Sequence, residues 1–185
     1  MSITKEQLQF AGWLAIVSAF VTFIVFVMTL KNVTEAKAIK VLLILISVGS
    51  FVYVFLSLRK MLNIRFEFHD VDTLISVLIG SNVVLSALNI VSLGYSELES
   101  ILSGFFVVAF ILFAILYIIF AIRMLRLTDN LYGLLKPFSY TSIATGICFA
   151  SIIMIPFGLI ASSVSDIILG IIFFRAAQFF NPYNS

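Results

Sequence analysis

Charged residues interrupt this chain only at wide intervals, and the uncharged runs between them set its organisation. These runs cover positions 7 to 30, 41 to 58, 73 to 96, 100 to 122 and 137 to 165, with a shorter one from 167 to 174. Crossing ~30 Å of hydrocarbon takes roughly 20 helical residues, so each of the first four runs predicts one transmembrane helix. The stretch from Pro137 to Gln178 is about twice as long and predicts two helices joined by a tight turn. Continuous apolar character without strict alternation excludes a membrane β-barrel. The expected architecture is an all-α integral membrane protein, a single transmembrane domain over 1-185, with helices near 7-30, 38-60, 71-94, 98-125, 136-160 and 162-179.

Helix starts carry their own marks. Asn32 with Glu35, Ser96 with Glu99, and Ser163 with Asp166 each have the spacing of a capping box, which predicts the starts of helices 2, 4 and 6. The first two hairpins also match at a fixed offset of 64 positions, pairing Tyr53 with Tyr117, Arg59 with Arg123, Ser18 with Asn82 and Thr22 with Ser86. The chain therefore reads as a helical hairpin repeated three times, the third copy shortened.

Composition agrees with a lipid solvent. Hydrophobic residues make up 62% and charged residues 11%, with mean hydropathy +1.21, where a soluble domain carries about 25% charge. The net charge of +2 lies in loops with no basic block or glycine-rich phosphate cradle, which excludes nucleic acid as a partner. Cys148 is the single cysteine, so no intramolecular disulfide forms. The first apolar run, Phe10 to Leu30, is too long for a signal-peptide core and has no small-x-small site before Lys31. Lys5, Arg59, Lys60, Arg65, Arg123, Arg126, Lys136 and Arg175 lie on the side of the N-terminus, and Lys31, Lys37 and Lys40 on the other. That asymmetry predicts a bacterial cytoplasmic (inner) membrane protein with both termini cytoplasmic.

Candidate chemistry is sparse. The cytoplasmic loop around Glu67, His69, Asp70 and Asp72 holds the single histidine beside three carboxylates, a set that fits a divalent cation or a proton relay. The plainer reading makes Asp70 and Asp72 the start of helix 3, where negative charge suits the helix dipole. One histidine cannot form a bis-histidine haem site, and the sequence has no H-E-x-x-H, cysteine pair or G-x-S-x-G, so no cofactor is expected.

Within the membrane, Asn82, Ser86 and Asn89 fall on one face of helix 3, and Ser18 with Thr22 make a shorter stripe on helix 1. Such residues line a polar path or simply hydrogen-bond between helices. Small residues recur four apart on helices 1, 3 and 5, at Ala11, Ala15 and Ala19, at Ser76 and Gly80, and at Ser142, Gly146 and Ala150. This predicts an inner bundle of odd-numbered helices, with helices 2 and 4 facing lipid or a partner.

Asp166 and Arg175 are nine residues apart, ~13.5 Å of helix, so they cannot sit on opposite faces of the membrane. A turn at Pro156-Phe157-Gly158 puts Asp166 deep inside, a functional position by default. A turn at Ala161 to Ser163 makes Asp166 a cap and leaves Arg175 to snorkel. The capping-box spacing favours the second.

Two functions follow. The first expectation is a non-catalytic membrane scaffold or accessory subunit that packs in the lipid bilayer against other membrane protein subunits or itself. The alternative is a small-solute or ion channel or transporter, with a polar path through Asn82, Ser86, Asn89, Ser18 and Asp166. A lipid-modifying enzyme stands third, since only the His69 loop offers it a site.

Overall fold

Thr4 and Gln7 open the first helix by a reciprocal cap. The Gln7 N–H donates to the Thr4 hydroxyl at 3.2 Å and the Thr4 N–H donates to the Gln7 side-chain oxygen at 3.3 Å. A computed structural model describes residues 3–30, 37–94 and 96–179. Its helices are α1 (Lys5–Leu30), α2 (Lys37–Phe66), α3 (Asp72–Gly94), α4 (Ser96–Met124), α5 (Leu135–Ala150) and α6 (Ile155–Gln178). Short 3-10 turns at Leu131–Gly133 and Ile152–Met154 flank α5, and no strand occurs among the described residues. Five helices are long and apolar enough to cross a membrane. The exception is α5, whose 16 residues reach ~24 Å.

The helices form a closed ring in chain order. Each packs on its sequence neighbours and α6 returns to α1, the most extensive contact of the ring. Among the described residues α1, α3 and α5 do not touch one another, which corrects the expected inner bundle of odd-numbered helices. The close approach of α1 is to α6, and it runs through Gly12 rather than the alanine series. A Cβ at Gly12 would lie 3.1 Å from the Gly170 carbonyl oxygen, and one at Gly170 would lie 3.0 Å from the Gly12 carbonyl oxygen. Gly146 likewise faces Ala114 and Ile118 of α4, whereas Gly80 faces open space. Nor is α4 turned wholly outward, since Ala114, Tyr117, Phe120, Ala121 and Met124 are buried.

Side chains tie the basic ends of the helices together. Lys60 of α2 donates to Gln7 of α1, Arg59 of α2 pairs with Asp72 of α3 at 3.1 Å, and Arg123 of α4 donates to the Asp70 carbonyl. Arg65 at the end of α2 donates to the Ala176 carbonyl of α6 at 2.7 Å. Consecutive helices are therefore antiparallel. The core gathers at this end too, in the first half of α1, the second half of α2 and the last third of α4, with Phe138 of α5 and Phe173 of α6. Toward the far end, most described side chains of α2 and α3 become half-buried or exposed.

The last two helices divide earlier than the sequence suggested. Instead of 136-160 and 162-179, the break falls at Ser151 to Met154, where the Met154 N–H donates to the Ser151 carbonyl at 2.9 Å. Pro156 occupies the first turn of α6, where its fixed φ suits a helix and its missing N–H costs nothing. It starts a helix rather than kinking one. Ser163 is thus interior, its hydroxyl donating to the Leu159 carbonyl one turn back at 3.0 Å, so Ser163 and Asp166 form no capping box. Of the other two boxes, Ser96 does begin α4, while Asn32 and Glu35 lie outside the described residues.

Candidate functional site

Asp166 lies eleven residues from Ile155 and twelve from Gln178, ~16–18 Å of helix from either end of α6. It is half-buried, and no ion pair to it occurs among the described residues. The buried Ser18 hydroxyl of α1 lies near its carboxylate. One turn away on α6, Ser163 also donates to the Ala19 carbonyl of α1 at 3.3 Å. The close α1–α6 approach through Gly12 and Gly170 brings these groups together, because backbones without side chains between them leave polar atoms within reach.

Behind Asp166 stands a second polar group. Ser142 of α5 and Ser165 of α6 meet hydroxyl to hydroxyl at 2.8 Å, both fully buried. The buried Tyr117 side chain of α4 lies beside both serines. Four helices thus contribute to one polar layer at mid-depth. Sequence reading had placed Ser142 among small packing residues and Tyr117 among repeat matches, and had passed over Ser165.

Asn82, Ser86 and Asn89 share a face of α3 as expected and, with Ser92, line a cavity of about 590 Å³. Its other wall is apolar, made by Phe106, Phe110 and Phe113 of α4 with Ile155 of α6. Ser18 and Asp166 are not part of this lining, so the five predicted path residues fall into two groups. Between them stands an aromatic pair, Phe113 stacked on Tyr117 with centroids 6.4 Å apart. The Asn82 side-chain oxygen is buried and has no hydrogen-bond partner.

The α2–α3 loop gathers no metal site. Glu67, His69 and Asp70 are exposed, and no group of three potential ligands occurs among the described residues. Asp72 instead starts α3 and joins the helices, accepting from Asn63 at 2.9 Å while His69 approaches at 3.1 Å and Arg59 pairs with it. Glu67 turns the chain, with φ 50.

Sequence reading missed a latch beneath the bundle. Leu131, Tyr132 and Gly133 follow one another with φ of 40, 59 and 87, a left-handed run that drives Leu131 fully into the core. Tyr132 accepts from Arg65 at its hydroxyl at 2.8 Å and from Arg175 at its carbonyl, and its ring stacks on Phe179. Arg175 is therefore held at the basic end, twelve positions beyond Ser163 and well clear of Asp166. Compared with known proteins, the chain matches no family model, no curated protein and no solved structure.

Proposed function

We propose that the protein is a small-solute transporter of the bacterial cytoplasmic membrane, with the α3–α4 cavity as its outer vestibule and Asp166 as the charged station at mid-depth. The observation that carries this reading is the interior position of Asp166, beside Ser18 with no ion-pair partner among the described residues. An ionisable group at membrane depth is expensive and marks ion or proton pathways. Such a group serves a transporter and is superfluous to a scaffold.

In this reading α5, continued by the 3-10 turn to Met154, completes a sixth crossing. Both termini and the basic end are then cytoplasmic, in keeping with the positive charges there. The ring order α1–α2, α3–α4, α5–α6 suits three hairpins, the last the shortest. Solute enters between the amide face of α3 and the phenylalanines of α4. It passes the Phe113–Tyr117 pair as Asp166 exchanges a proton or small cation.

The test uses vesicles carrying the purified full chain, assayed for counterflow of radiolabelled glycerol, urea and benzamide and for proton entry by trapped pyranine. Flux above protein-free vesicles that Asp166→Asn abolishes, with normal insertion and yield, supports the proposal. Absence of flux in the parent, together with a stable partner that co-purifies from native membranes, returns the scaffold reading.

A further inference from the structure

We infer that the α3–α4 cavity is a binding site for a small uncharged molecule with a flat apolar body and a hydrogen-bond donor, such as a primary amide or alcohol on an aromatic ring. This names the solute class of the transporter proposed above and rests on that reading.

Three features of the cavity select this chemistry. No charged side chain contributes to its lining. An ionised solute would lose its hydration there with nothing to replace it, so cations and anions are disfavoured. The second feature is the amide face of α3, where the Asn82, Ser86 and Asn89 side chains line the cavity. Amide and hydroxyl oxygens on such a face accept from a ligand N–H or O–H, which a purely apolar solute does not offer.

The third feature is the aromatic wall, whose rings are held from behind. Phe110 packs on Phe149 of α5 with centroids 5.1 Å apart, and Phe113 packs between Phe51 of α2 and Tyr117. Rings fixed in this way keep the cavity from collapsing and present faces and edges to a flat guest. The volume of about 590 Å³ falls within the range of small-molecule sites.

The probe is ring-tritiated benzamide, bound to the full chain in lipid nanodiscs and measured against empty nanodiscs. The expected result is saturable binding of one molecule per chain, displaced by benzyl alcohol and at least tenfold less well by benzoate, benzylammonium or toluene. Asn82→Leu is expected to weaken binding at least tenfold, and Ser86→Phe, which fills the cavity from the α3 side, to abolish it. Toluene competing as well as benzamide, or undiminished binding in a folded Ser86→Phe protein, overturns the inference. Asp166→Asn is expected to keep benzamide binding while losing flux. Binding that depends on Asn82 in a protein that transports nothing upholds the site and defeats the transporter, and solute flux without benzamide binding does the reverse.

Discussion

Gly12 of α1 and Gly170 of α6 lie face to face, each so close to the other's carbonyl oxygen that a single added carbon would lie about 3 Å from it. Substituting either by leucine forces the two backbones apart and is expected to cost about 1–3 kcal/mol. Gly80→Leu, in open space, is expected to stay within about 0.5 kcal/mol of the parent. Thermal unfolding in detergent ranks the three variants, and equal losses would contradict this packing.

The Ser142–Ser165 hydroxyl pair allows a double-mutant cycle. Alanine at either position removes one side of a buried hydrogen bond, and the coupling recovered from both single variants and the double is expected near 0.6 kcal/mol and below about 1.7. A coupling of zero would show that the two hydroxyls do not meet.

The latch yields a third expectation. Tyr132→Phe keeps the stacking on Phe179 but removes the acceptor for Arg65, and is expected to cost about 1.5 kcal/mol. Gly133→Ala places a Cβ on a residue at φ 87 and is expected to cost ~1–2 kcal/mol. Unfolding midpoints in detergent measure both.

Orientation is checked by labelling in a Cys148→Ala background. A cysteine at exposed Asn130 should react with an impermeant maleimide only in opened cells, and one at Ser96 should react from outside. The opposite pattern would invert the topology.

How far the sequence could be read depended on how local each signal was. Helices, the Asp72 start and the α3 polar face follow from spacing alone, since each is decided within a few turns of chain. The break before α6 was misread because Pro156 suits either a kink or a first turn, and because Ser163-x-x-Asp166 has capping-box spacing wherever it occurs. Only the Ser163 bond to the Leu159 carbonyl distinguishes interior from end. The close contact of α1 falls at Gly12 rather than on the Ala11, Ala15, Ala19 stripe, and its partner α6 lies at the other end of the chain. The Arg65–Tyr132 bond spans 67 positions and left no trace in local pattern.

The uneven core has a mechanical consequence. With the helices bound at the basic end by arginines, by the latch and by most of the buried side chains, α3 and α4 resemble beams held more firmly at that end than at the other. Deflection of such a beam grows toward its tip, so α3 and α4 can spread around their cavity while nothing in the clamped half changes partners. In the proposed transporter, solute admission would then be elastic bending about a fulcrum near Tyr117, restored by the stiffness of the helices themselves. The hydrogen-bonded layer at mid-depth marks where the rigid half ends, and Asp166 stands on that boundary.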